Sequence, residues 1–162
     1  MAELLEQQFL TLSLKSEKYA IPVSRVIEVL EYAKVTRLPR TAVYLKGLID
    51  LRGRGVPVLD LALRFGLPET EVAKETAIIV VEMAGGSDTM VVGLIADAVH
   101  EVVEIATDQV EAAPSFGAGS AEQFLKGVGR KNEQFILILD IDRLFTDDEI
   151  RISAEEAETV EA

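Results

Sequence analysis

The sequence predicts a mainly β fold built from two similar five-stranded units, each a small closed barrel, packed together, with short helices and a helical or frayed C-terminal tail. Three observations carry this. Apolar and polar residues alternate in short runs bounded by glycine, proline and polar turns. The second half of the chain repeats the first. Apolar residues make up 49% of the 162 residues, enough for a core. Each half is nevertheless too small to bury much surface alone, so the halves should share an interface. Closing each unit into a barrel removes exposed strand edges.

Taken in order, Leu10, Leu12 and Leu14 alternate with Thr11 and Ser13, which suits a half-buried strand. Lys15–Lys18 reads as a polar turn, and Tyr19, Ile21 and Val23 return to complete a hairpin. Val26–Leu30 is a further strand, and Val35–Leu38 extends it up to Pro39. Lys46–Leu51 and Val56–Leu59 flank a turn at Gly53-Arg54-Gly55. A short helix is expected over Asp60–Leu67, capped by Asp60 and ended by Gly66 and Pro68. In the second half Thr76–Glu82 is a strong β run, Gly85–Asp88 a turn, and Met90–Ala96 and Val99–Ile105 two more strands. Pro114–Ser120 is a loop of small residues. Lys126–Gly129 leads through Lys131-Asn132-Glu133 into Phe135–Leu139.

The repeat is explicit. Gly47 lies thirteen residues before Asp60, and Gly127 thirteen before Asp140. At this offset of 80, Val56, Val58, Leu59, Leu61 and Phe65 fall on Ile136, Ile138, Leu139, Ile141 and Phe145. At an offset of 73, Val26-x-Glu28-Val29 falls on Val99-x-Glu101-Val102. The expected organisation is a domain over 8–145, with discontinuous or tandem subdomains near 8–70 and 75–145, followed by an acidic tail over 146–162.

Composition excludes several functions. With 28 acids, 16 bases and a net charge of −12, the chain repels polyphosphate and anionic lipid. Residues 146–162 hold seven acids and one base, so the remainder is only mildly acidic. The absence of cysteine rules out a disulfide scaffold, a thiol nucleophile and thiolate-bound zinc. The N-terminus MAELLEQQFL has no basic n-region and no long apolar stretch, so a cytoplasmic location is expected.

Catalysis finds little to stand on. His100 is the only histidine. It could act as a general base, but no nucleophile motif accompanies it, which favours a rim imidazole. Asp140, Asp142, Asp147 and Asp148 resemble a calcium loop, which fails because Phe145 occupies the turn-glycine position. Asp60 and Asp140 read better as paired helix caps. Gly117/Gly119 and Gly127/Gly129 open no phosphate loop, as no Gly-Lys-Ser/Thr follows. No cofactor or metal is called for. Arg52 stands apart: its repeat counterpart is Asn132, so the arginine belongs to one half only. Glu28 could face it in a charge-assisted pair. The plainer reading is a surface ion pair of about 0–1 kcal/mol.

The runs QFLTLSLKSEKYAIPVSRVIEV, VTRLP and YLKGLIDLRGRGVPVLDLALRFGL, then TAIIVVE, VVGLIADAVHEVVEI and FLKGVGRKNEQFILILDIDRLF, resemble the CheW family of chemotaxis coupling proteins. The likeness runs in order from Gln8 to Phe145. It implies two SH3-like five-stranded barrels packed side by side, and an adaptor in place of an enzyme. Such adaptors bridge the cytoplasmic tips of chemoreceptors to the regulatory domain of the histidine kinase CheA, and further copies of the adaptor are possible partners. By this resemblance Val26 and Glu28 match positions near the receptor groove. Arg52 and Gly53 match the LRG turn, whose arginine the family pairs with the glutamate. Gly47, Gly93 and Val99 match positions implicated in partner coupling. No nucleic acid and no membrane insertion are implied. The resemblance leaves Asp97 with a structural reading.

Two departures stand out: Gly55 replaces a side chain common in the family, and the acidic tail is no part of the pattern. An equivalent adaptor in another chemosensory pathway, such as one governing surface motility, is the nearest alternative. A small-molecule-binding barrel is the more distant one, and it predicts an enclosed pocket with converging polar groups.

Overall fold

The structure, a computed structural model, describes residues 6–37, 43–85, 88–112 and 121–144. The expected Gly85–Asp88 turn lies partly, and the Pro114–Ser120 loop and the tail over 146–162 wholly, outside them, as does Phe145. The chain is mainly β, as expected. Its strands are β1 (Glu6–Leu14), β2 (Glu17–Pro22), β3 (Val26–Glu31), β4 (Leu45–Leu51), β5 (Arg54–Asp60), β6 (Ala77–Gly85), β7 (Asp88–Ala96), β8 (Ala98–Ala106), β9 (Val110–Glu111), β10 (Leu125–Lys131) and β11 (Gln134–Leu139). One α-helical turn, α1 (Leu61–Arg64), follows β5.

Two sheets form, ordered β8-β1-β2-β11-β10-β9 and β3-β6-β7-β5-β4. In the first, β8 and β9 lie at opposite edges although only the 3₁₀ turn Thr107–Gln109 separates them in sequence. The sheet must therefore curl until its edges nearly meet. In the second, Thr36 plays the part of β9, exchanging hydrogen bonds of 2.8 and 2.7 Å with Leu48 of β4. That single bridge is all that forms from the expected Val35–Leu38 strand, whose end falls outside the described residues. The sixth strand of the first sheet is the two-residue β9.

The repeat appears in the register. Gly47 pairs with Val58 and Gly127 with Ile138, each beside a bulge, and Leu45 pairs with Leu59 as Leu125 does with Leu139. Both sheets also contain one parallel pair, β5 with β7 and β11 with β2. Sheet membership, however, crosses the halves of the chain. Hairpin β1–β2 from the first half completes the sheet of β8–β11, and β6–β7 from the second completes that of β3–β5. The two repeats have exchanged hairpins.

The exchange places β1 and β6 at the centre, buried on both faces. Leu10, Leu12 and Leu14 of β1 and Ile79, Val81 and Met83 of β6 enter one shared cluster. The alternate residues Phe9 and Ile78, Val80 enter the two barrel interiors. This explains the unbroken apolar run Ala77–Val81, which a half-buried strand would not need. Among the described residues the shared cluster holds 19 buried side chains against 6 and 5 in the interiors. At about 1.5–3 kcal/mol for each large side chain buried, most of the apolar stabilisation lies between the barrels.

Helix α1 is shorter than the expected Asp60–Leu67 span. Asp60 caps it, accepting Ala62 N–H at 3.0 Å, and Gly66 at φ 81° ends it with Leu67 N–H bonded back to Ala62 O at 2.8 Å. Asp60 is buried and also accepts the backbone N–H and hydroxyl of Thr70 at 3.0 and 2.7 Å. Asp140 corrects the expectation of paired caps. Only a 3₁₀ turn, Ile141–Arg143, follows it, with no side-chain cap bond, and its carboxylate faces Arg143 at 3.4 Å.

Candidate docking site

The β4–β5 turn has two residues, Arg52 and Gly53, between the paired Leu51 and Arg54. This places it one residue earlier than expected, with Arg54 already in the strand. Both turn residues have positive φ, 54° and 83°, the twist that suits a two-residue hairpin. Asp50 Oδ1 accepts Gly53 N–H at 2.9 Å and steadies the loop. The repeat builds the same turn from Asn132 and Glu133, at φ 51° and 64°. Asparagine tolerates that conformation more readily than arginine, so Arg52 sits there against local preference.

Arg52 Nη1 lies 2.7 Å from Glu28 Oε1. The arginine side chain is 72% exposed and the glutamate 24%, so the pair sits at a solvent-facing rim. Glu28 belongs to β3, an edge strand whose sheet partner is β6. The pair therefore spans the barrel seam, from the tip of one edge hairpin to the strand at the other edge. Beside it, Ile27 and Val29 are large apolar side chains left 45% and 43% exposed.

The other sequence-selected residues divide into two groups. Gly47, Val58, Gly93, Val80 and Glu28 form one row of paired Cα positions across the second sheet. Gly47 and Gly93 thus align with Glu28, and each glycine has a packing reason. A Cβ on Gly47 would stand 1.9 Å from Thr36 O, at a φ of 145°, and one on Gly93 would stand 2.9 Å from Ile78 Cγ2. Val26 and Val99 form the second group. They pair with Val81 and Leu12 and pack against the shared cluster. Each marks the margin of the inter-barrel interface on its own barrel.

His100 is exposed, with Nε2 3.1 Å from Ser13 Oγ, the geometry of a rim imidazole. Among the described residues no group of three or more side chains is arranged to ligate a metal. No described helix is long and apolar enough to cross a membrane. An open depression of about 230 Å³ is lined by Tyr32, Val35, Lys46, Asp60, Thr70 and Ile95. Two of its charges are engaged, Lys46 with Glu69 and Asp60 with Thr70. The Lys46 ammonium holds the Glu69 carboxyl below the usual carboxylate range.

Two side-chain constellations were not singled out from the sequence. Arg25 grips Asp142 with both guanidinium nitrogens, Nη1–Oδ1 at 2.9 Å and Nη2–Oδ2 at 2.6 Å. Arg64 of α1 lies over the rings of Tyr44 and Phe124 at 4.4 and 4.6 Å, and burial lowers its pKa. The available signal was the repeat itself, since these arginines fall opposite Ala98 and Leu144.

The sequence matches the CheW-like domain family over residues 8–149. The chain belongs to that family. It is 31% identical over 150 residues to the chemotaxis protein CheW of Klebsiella aerogenes, covering 93% of this chain and 88% of the relative. Protein FrzA of Myxococcus xanthus is 29% identical over 140 residues, covering 86% and 85%. Among solved structures, the scaffolding protein TtCheW from Thermoanaerobacter tengcongensis superposes with a TM-score of 0.78 at 32% identity, covering 90% of this chain and 91% of that one. In this CheW-like chain Arg52 and Glu28 form an ion pair, and the arginine sits at a φ of 54° in its two-residue turn.

Proposed function

We propose that this protein is a non-enzymatic chemotaxis adaptor that joins the cytoplasmic tips of chemoreceptors to the regulatory domain of a CheA-type histidine kinase. It works in the cytoplasm, at receptor arrays on the inner face of the membrane. The observation that carries this reading is the Glu28–Arg52 pair at 2.7 Å, held at the rim of one barrel beside exposed Ile27 and Val29. A charged pair flanked by apolar side chains suits a protein partner: the apolar groups supply burial and the charges fix register. Val26, Glu28, Gly47, Arg52, Gly53, Gly93 and Val99 are the proposed partner-coupling residues. Gly47 and Gly93 act from within the fold by keeping the row beneath Glu28 in place.

The mechanism is geometric. A body that holds receptor and kinase at fixed separation raises the effective concentration of each for the other, so weak contacts add up. The test is kinase autophosphorylation in reconstituted receptor membranes with and without this protein. Receptor-dependent control should appear only when it is added. Identical phosphorylation in both would refute the reading. The likeness to FrzA, which is not named as a chemotaxis protein, favours one second reading: the same adaptor role in a related chemosensory pathway. Capture of the partner receptor from cells of the source organism separates the two.

A further inference from the structure

The 3₁₀ turn Ile141–Arg143 continues β11 of the first barrel, yet its Asp142 side chain bonds to β6 of the second and to Arg25 of the β2–β3 crossover. Asp142 holds Arg25 through both carboxylate oxygens, and Oδ1 also accepts the Ala84 N–H of β6 at 2.9 Å. Arg25 Nη1 donates in turn to Glu82 O of β6 at 2.9 Å. Two residues beyond Asp142, Leu144 O accepts the Nε–H of Arg64 from α1. Ile141 and Leu144 send their side chains into the shared cluster. Asp142 and Leu144, at the end of one barrel, thus grasp the other at β6 and at α1.

The repeat shows that this grasp is not a by-product of the fold. Val99 pairs with Leu12 and its repeat counterpart Val26 pairs with Val81, so Leu12 matches Val81 and, three residues on, Lys15 matches Ala84; each follows a buried residue of the shared cluster, Leu14 and Met83. Both backbone N–H groups are capped by a carboxylate. Lys15 N–H bonds Asp97 Oδ2 at 2.8 Å, and Asp97 comes from the adjoining crossover between β7 and β8. At the repeat position of Asp97 stands Ser24, and there the carboxylate comes instead from Asp142, on the turn that follows β11. The repeat positions of Asp142 and Arg25 are Ala62 and Ala98, so the clamp exists on one side only. A cap from the neighbouring crossover is replaced on this side by one from the end of the other barrel. Arg25 also directly precedes Val26, the first residue of β3.

We propose that residues 140–144 form a latch fixing the orientation of the two barrels, and that Arg25 and Asp142 are positioning residues. They set the spacing between the docking surfaces on β3 and β8. The functional half of this rests on the adaptor reading; the latch itself does not.

The experiment uses the full chain with Asp142→Ala, the residue its own repeat carries, and the conservative Asp142→Glu. Hydrogen exchange at the Ala84 amide should quicken roughly tenfold or more in Asp142→Ala, while amides of the barrel interiors keep their protection. Residual dipolar couplings should then no longer fit one fixed barrel orientation. Receptor and kinase should each still bind within about twofold of wild type, but receptor-dependent control should fall roughly fivefold or more, with Asp142→Glu restoring most of it. Adding Ser24→Asp to Asp142→Ala should restore Ala84 protection without restoring control, which separates the cap from the latch. If Asp142→Ala does not fold, Arg25→Met leaves the Ala84 cap in place and tests orientation alone. Unchanged dipolar couplings in a folded variant would overturn the latch. Altered orientation with full control would overturn the positioning role. Failure of the wild-type protein to couple would sink the adaptor reading, leaving exchange and dipolar couplings to decide the latch by themselves.

Discussion

Replacing Arg52 by asparagine, the residue at the same position of the repeat, separates a docking role from a structural one. Two local effects oppose each other. The lost ion pair joins a side chain 72% exposed to one 24% exposed, and such rim pairs contribute about 0–1 kcal/mol. Against this, Arg52 sits at φ 54°, where an ordinary side chain costs about 1–2 kcal/mol and asparagine less. The net change should lie within about 1 kcal/mol of zero, a shift in Tm of no more than ~4 °C for a chain of this size. Scanning calorimetry measures this term. Kinase control in receptor membranes measures the other, and there Arg52→Asn should behave as though the adaptor were missing. A folded variant with full control would show that the pair is ornamental. A loss of stability above ~2 kcal/mol would show that it holds the barrel seam, since surface changes of that size need a structural cause.

Three further outcomes follow from the geometry. Gly47→Ala should destabilise the chain by about 3 kcal/mol or more, because its Cβ meets the Thr36 backbone at 1.9 Å; Gly127→Ala, whose nearest obstacle is a valine methyl at 2.7 Å, should cost less, and paired urea titrations check the order. Asp60→Ala should cost about 2–4 kcal/mol, since it removes the α1 cap and strands the buried Thr70 donors, again readable by urea denaturation. Acid should loosen the inter-barrel clamp: the Arg25 guanidinium holds the Asp142 carboxyl below its usual range. Its contribution is therefore complete above the unfolded carboxyl value of about 3.9 and disappears as pH falls through the lower folded value. Wild type should accordingly lose more stability between pH 5 and 2 than Asp142→Asn does; parallel acid titrations of the two would refute the assignment.

The strands were legible because alternation is local. Leu10, Leu12 and Leu14 announce a strand with one apolar face whatever they pair with, and the Gly47–Asp60 and Gly127–Asp140 spacings announce the repeat. The Glu28–Arg52 pair was legible as a possibility because an arginine stands where the repeat carries asparagine. The partner of each hairpin was not legible. Both exchanged and unexchanged arrangements give β1 and β6 the same neighbours in sequence and the same apolar pattern, and only three-dimensional closure chooses between them. Double-faced burial left one trace, the unbroken run Ala77–Val81, which reads equally as an ordinary buried strand. Turn position failed for a related reason: three residues with two glycines look like the natural bend, but a two-residue hairpin needs positive φ at adjacent positions, and Arg52-Gly53 supplies them at the cost of strain in Arg52. Asp142 and Arg25 were illegible as a pair because 117 residues separate them.

The exchanged hairpins bear on how the two barrels of the proposed adaptor are joined. In a tandem arrangement each barrel would close on its own segment, and the linker between them would set their relation. Here β1–β2 begins the chain but belongs to the barrel that ends it, and β6–β7 belongs to the barrel formed before it. Every crossover, from β2 to β3, β5 to β6 and β7 to β8, either leaves one barrel for the other or returns within a barrel already committed. Two strands covered on both faces, β1 and β6, lie between the barrels and are shared by the cores on either side. Close-packed interiors transmit strain because their side chains have few alternative arrangements. From the Glu28 rim, β3 reaches β6 through direct pairing, the shared cluster through Val81, and β1 and then β8 through the same cluster. On the proposed adaptor role, this packed path joins the two proposed docking margins, and each barrel it crosses is built from strands of both repeats.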